Sequence, residues 1–171
     1  DILNCHDWVI RDNLIKNIKA APGAGLAGPA ILVWHGSSNT IVERNTILNS
    51  DFCISFGNSS QEGISHTGGI IRNNFIKGHS NSDFGIGIVK SPDAKVINNT
   101  VYSPEGWPHS IEARFPETVN CLIMNNLTDE NIWSNRDGAS ATLVTNIYNA
   151  ESAYFVDAGN GDLHLAPAAT D

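Results

Sequence analysis

Glu112 and Arg114 stand two residues apart in the segment Ser-Ile-Glu-Ala-Arg-Phe. On a β-strand that spacing puts both side chains on one face, roughly 6.5–7 Å apart along it. A guanidinium placed there can hold a carboxylate through two parallel hydrogen bonds. The plainer reading is an exposed ion pair that aids solubility and stacking. Lys90 precedes Arg114 by 24 residues and offers a second cation on the same flank. Trp34 followed by His35 supplies another kind of chemistry, because a flat apolar indole face stacks on a sugar ring. Its alternative is a Trp covered by the loop Ala20 to Gly28. His66 lies near a turn on the loop-bearing side, as does His109, and each reads first as a turn hydrogen-bonder.

The elements that must position these residues are legible from a repeat. An apolar residue, two variable residues, Asn, one variable residue and an apolar or β-branched residue recur six times. The copies centre on Asn13, Asn45, Asn74, Asn99, Asn126 and Asn146, at spacings of 32, 29, 25, 27 and 20 residues. The residue two before each leading apolar position is also small or apolar in most copies (Trp8, Thr40, Gly69, Ala94, Cys121), which is strand alternation. Asn breaks the alternation, so it marks a turn, where its side chain bonds local backbone and tolerates unusual dihedrals. Coils about 4.8 Å apart would align the six residues as a ladder.

A second strand precedes most copies, with inward pairs Ile31/Val33, Ile54/Phe56, Ile86/Ile88 and Ile111/Ala113. Its outward neighbours are Leu32/Trp34, Ser55/Gly57, Gly87/Val89 and Glu112/Arg114. The expected fold is all-β: a right-handed parallel β-helix of about six coils, one domain over residues 1–171, truncated at both ends. The longest insertion, about Gly57 to Gly69, is expected between the second and third coils. Further loops run Ala20–Gly28, Gly78–Asp83 and Ser103–Pro108. Loops of this kind shape a site on a solenoid flank.

Composition agrees. Apolar residues make up 41 % and charged residues 16 %, the latter below the globular norm of roughly a quarter. The net charge is −8 and no basic cluster is visible, so a nucleic-acid partner is not expected. No apolar run approaches the roughly 18 residues of a membrane span. Cys5, Cys53 and Cys121 fit no zinc spacing and read as free thiols. The six histidines form no local metal motif, and Asp93, Asp129 and Glu130 do not form a hydrolase-type carboxylate pair. Asp137 in Arg-Asp-Gly reads as a turn. Asn58, Asn98 and Asn126 head glycosylation triplets, but Asn126 is an inward ladder residue, which argues for a bacterial source or an unmodified chain.

The segments Gly28–Trp34, His66–Asn74, Gly85–Ile88, Val96–Thr100, Ser110–Phe115, Arg136–Ala139 and Gly161–Leu165 resemble secreted bacterial right-handed β-helix proteins of the pectate-lyase-like superfamily. The resemblance covers nearly the whole chain. It implies binding or eliminative cleavage of an acidic, uronic-acid-containing polysaccharide. Chondroitinase-B-like lyases place a Lys, followed by Ser, one coil before an Arg; here Lys90-Ser91 and Arg114 stand in those places. The strand alignment sets Lys90 level with Phe115, and Arg114 with Val89. The implied roles are Arg114 as base or carboxylate clamp, Glu112 orienting it, and Lys90, Trp34, His35 and His66 as accessory or substrate-binding residues. The same lyases carry two acidic calcium ligands shortly before the Lys; this chain has Asp83 but then Gly85 and Gly87, so no cofactor is expected. The alternatives are an adhesive or structural solenoid without catalysis, and a carbohydrate-binding module. A solenoid cut in mid-stack would also associate end to end, since its coil ends are apolar.

Overall fold

The computed structural model describes residues 1–106 and 108–170. Trp107, within the expected loop Ser103–Pro108, and Asp171 lie outside the described residues. The chain is a right-handed parallel β-helix of six coils built on three long parallel sheets. Sheet I stacks Ile2–Leu3, Ile31–Trp34, Ile54–Phe56, Ile86–Val89, His109–Arg114 and Asn131–Arg136. Sheet II stacks Val9–Arg11, Ile41–Glu43, Ile70–Arg72, Lys95–Ile97, Cys121–Met124 and Ala141–Val144. Sheet III stacks Leu14–Lys16, Thr46–Leu48, Phe75–Lys77, Thr100–Tyr102 and Leu127–Thr128.

The inward positions are those the alternation marks. Ile31, Val33, Ile54, Phe56, Ile86, Ile88 and Ile111 from sheet I meet Val42, Ile71, Val96 and Ile123 from sheet II and Ile47, Ile76 and Val101 from sheet III in one buried column. Each strand is only two to six residues long, so no coil could hold its shape alone. Stacking buries the shared column and makes the coils stable together.

The corner between sheets II and III carries the asparagine ladder. Side chain to side chain, Asn13, Asn45, Asn74, Asn99, Asn126 and Asn146 are linked in that order at 2.9–3.1 Å. Each amide oxygen from Asn45 onward also accepts the backbone N–H of the preceding ladder residue. The Nδ2 groups of Asn45, Asn74, Asn99, Asn126 and Asn146 reach a carbonyl of the previous coil as well. The unusual dihedral expected at Asn falls one residue earlier. Asp12, Arg44, Asn73, Asn98, Asn125 and Thr145 have φ between 49° and 59°, so the chain turns there and delivers the Asn side chain inward.

The Gly57 to Gly69 insertion lies inside the third coil, between its sheet I and sheet II strands, and it is not the longest: residues 17–30, ahead of the second sheet I strand, form a longer connection. Within the insertion His66–Thr67 pairs with Ser37–Ser38 as a short parallel ribbon. The other loops all leave the corner after sheet III. Asp51, buried at that corner, ties two of them. Its Oδ2 accepts the N–H groups of Ala20 and Ala27 at 2.9 and 2.7 Å, and its Oδ1 contacts His79 Nε2 at 2.9 Å.

After the last coil the chain leaves the solenoid. Phe155–Asp157 and Asp162–Leu165 form an antiparallel hairpin that packs outside sheet III. There Phe155, Ala158 and Leu163 cluster with Tyr102 and Ala150, against Phe75 and Leu127. At the first coil Trp8, Val9 and Leu14 are exposed, and at the last Leu143, Val144 and Ile147.

Candidate binding groove on sheet I

Register decides what shares the outward face of sheet I. Leu32, Ser55, Gly87, Glu112 and Trp133 form one row, and Trp34, Val89, Arg114 and Arg136 belong to the next. Between them and the loops lies a groove of about 270 Å³, lined in part by Ser55, Asn58, Ser59, Asp83, Phe84, Glu112 and Arg114. Phe52 and Phe84 meet edge to face at 4.9 Å and form its apolar wall. Phe84 closes down because residue 87 is glycine: a Cβ there would stand 2.7 Å from its ring.

Glu112 and Arg114 share the groove but do not pair. Glu112 is only 2 % exposed, and its Oε2 takes a 2.5 Å hydrogen bond from Arg136 Nη1. His109 Nε2 stands 3.5 Å from the same oxygen, without the alignment of a hydrogen bond. Burial opposes ionisation of Glu112, yet His109 and Arg136 outweigh it and hold its carboxyl below the ordinary range. Arg114 instead binds Asp137, Nε to Oδ2 at 2.5 Å, with about a third of its side chain exposed. Its guanidinium also lies 4.6 Å from the centre of the Phe115 ring.

A β-bulge creates this arrangement. Glu112 opposes Trp133, but Arg114 opposes Arg136, so the last strand holds one extra residue there. Regular pairing would have set Asn135 beside Arg114. The bulge re-aims the strand and brings Arg136 within reach of the buried carboxylate. His109 stacks on Trp133 at 4.2 Å with the rings 13° apart. Asp83, half-buried on the opposite wall, has its carboxyl pushed above the usual range, first by desolvation and then by the charge of Glu112.

The remaining expected site residues are dispersed. Lys90 is one position beyond the Arg114 row, as the alignment implied. Its ammonium donates to the carbonyls of Ser59 and Gln61 at 3.2 and 2.5 Å and sits over Phe115, so it staples the insertion loop at the rim. Trp34 lies in the Arg114 row three strands away, roughly 14 Å at strand spacing. It is half-buried and does not line the groove. His35 is exposed and turns the chain at φ 58°, its N–H donating to Gln61 Oε1. His66 is wholly buried and stacked on Phe56 at 4.1 Å, so no saccharide touches it. Asp83, His109, Trp133, Arg136 and Asp137 complete the cluster that the Glu112–Arg114 spacing only hinted at. The sequence signal that could have shown the groove to be covered is Gly87, whose missing side chain admits the Phe84 ring.

The calcium pair implied by the chondroitinase-B-like pattern does not fit these residues. Asp83 is followed by Gly85 and Gly87, and Phe84 occupies the space over Gly87. Among the described residues no group of three or more His, Cys, Asp or Glu side chains could hold a metal ion. Cys5, Cys53 and Cys121 are free thiols. Among the described residues no helix is long and apolar enough to cross a membrane.

The fold and groove therefore define a parallel β-helix with a charged, aromatic-walled flank. Compared with protein-family models, curated proteins and solved structures, the chain matches none.

Proposed function

We propose that the sheet I groove binds an acidic, uronic-acid-containing polysaccharide, with Arg114 as the carboxylate clamp. The observation that carries this reading is Arg114 itself: a partly exposed guanidinium, flattened on Phe115, at the edge of a concave surface. Only its Nε is taken up by Asp137, so its terminal nitrogens can make the paired bonds a carboxylate accepts. Arg114 is a poor general base, because a guanidinium stays protonated. Binding thus has more support here than eliminative cleavage. Glu112 acts through Arg136, holding it beside the groove. The resemblance to pectate-lyase-like β-helix proteins supports a saccharide ligand and a secreted bacterial setting.

One observation favours a second reading, a structural or adhesive solenoid. Arg114, Arg136 and Lys90 all have protein partners in this face. A screen of uronic-acid-rich glycans with wild type, Arg114→Ala and Arg114→Lys separates the two. Groove binding predicts at least a tenfold loss in Arg114→Ala and partial retention in Arg114→Lys. Absence of binding by wild type would favour the scaffold.

A further inference from the structure

Beneath the groove lies a second, much smaller cavity of about 10 Å³, lined by Cys53, Ile76, Ser82, Asp83, Ser103 and His109 among others. Two of these side chains are orphans. Ser103 Oγ is buried and makes no hydrogen bond, and the same holds for both ring nitrogens of His109. Ser103 is 8 % exposed and His109 2 %. Buried polar atoms are nearly always paired, with protein or with ordered water. Two orphans lining one cavity point to a shared partner.

Protein groups do not provide it. Ser82 Oγ, the next hydroxyl on the wall, already accepts from His79 N–H and donates to the Ser50 carbonyl. Ser103 is hemmed by glycine: a Cβ at Gly78 would stand 2.1 Å from its Oγ, and one at Gly106 2.4 Å. His109 is fixed by its stack on Trp133. A cavity of this size admits one water, provided two to four polar groups face it.

We propose that this cavity is an internal hydration site holding one ordered water between Ser103 Oγ, His109 and Asp83. With Nε2 facing Glu112, the ring offers Nδ1 as acceptor, and the water donates to it. Its second hydrogen goes to Asp83, and Ser103 donates to its oxygen. The Glu112 carboxylate, which only accepts, favours the His109 tautomer with hydrogen on Nε2, and the water pairs the Nδ1 that this leaves as acceptor. It also joins Asp83, on the groove wall, to the buried His109–Glu112–Arg136 group. The inference is independent of what the groove binds, since Asp83 and His109 hold these positions in the free protein.

A high-resolution crystal structure of the unliganded protein tests it directly. The expected result is one density peak within hydrogen-bond distance of Ser103 Oγ and a His109 ring nitrogen. A dry cavity, or Ser103 and His109 turned to bond protein atoms instead, overturns the proposal. Oxygen-17 relaxation dispersion in solution gives a second readout by counting long-lived internal waters. Wild type should hold one more than Ser103→Val, whose added methyl fills the space, and one more than His109→Phe, which keeps the stack on Trp133. Equal counts in wild type and in whichever variant folds would refute it.

Discussion

The ladder corner carries Asn on every coil, whereas the outward row of sheet I reads Leu32, Ser55, Gly87, Glu112 and Trp133. Both are stacks in register, the ladder over six coils and the row over five of them. In the ladder each residue repeats its neighbour's hydrogen bonds, so identity is what the geometry rewards. On sheet I no two neighbours make the same contact: Ser55 caps the Gly57 carbonyl, Gly87 admits Phe84, and Glu112 takes Arg136. In a solenoid, repetition along a stack reports on the fold, and the position where repetition fails reports on a site.

The sharpest way to break this contrast is to remove one ladder residue from the middle of the stack. Asn74→Ala would leave the Asn45 N–H without a partner in the interior and would remove one bond each from Asn45 Nδ2, the Val42 carbonyl and Asn99 Oδ1. At roughly 1–3 kcal/mol for the stranded N–H and about 1 kcal/mol for each further bond lost, a loss of about 4 kcal/mol is expected in denaturant unfolding. Asn13→Ala, at the exposed end of the ladder, should cost about 1 kcal/mol or less. Equal losses at the two positions would mean that the ladder does not act through burial.

The next largest effect concerns His66, which the resemblance had offered as a contact for saccharide and which lies in the core. Desolvation lowers its pKa to about 4 from 6.5. The unfolded chain then binds the proton and the folded one does not, so stability falls as pH drops from about 6.5 toward 4. A shift of this size corresponds to about 3 kcal/mol. His66→Phe should flatten that part of the pH–stability curve. An unchanged slope would show that His66 reaches water.

Within sheet I, Arg136→Ala tests whether Glu112 belongs to the fold or to the surface. It strands a carboxylate that is almost fully buried, at an expected cost of about 3 kcal/mol. Because the folded-state pKa of Glu112 is depressed, its contribution is present above the ordinary Glu range and is lost as pH falls through the folded value. The variant should therefore lose most at neutral pH and converge on wild type in acid. Arg136→Ala at wild-type stability would place Glu112 in solvent.

The same contrast explains what was legible beforehand. The inward pairs and the ladder could be read because alternation and a repeated Asn are local patterns, each copy confirming the last. The groove could not, because its partners come from different coils through loops of unequal length. Arg136 reaches Glu112 only through a bulge whose extra residue leaves no mark in the spacing. Alternation correctly placed Glu112 on the outward face, but facing outward is not exposure once Phe84 folds over Gly87. Likewise the Glu112–Arg114 spacing was right for a shared face, while each side chain found its ion pair one coil further on.

The smallest effect on stability bears most on the proposed function. Arg114 and Asp137 form a pair that solvent reaches on both sides, with 32 % and 44 % of the side chains exposed. Pairs of this kind contribute about 0–1 kcal/mol, so Arg114→Ala should leave the thermal midpoint nearly unchanged. Asp137→Ala should be similarly mild and should free the guanidinium, raising affinity for a carboxylated glycan. A loss of 2 kcal/mol or more in Arg114→Ala would put Arg114 with Arg136, as a brace of the last two coils. That outcome would shift the whole face toward the scaffold reading, because Arg114 is, among the described residues, the one cation that lines the groove.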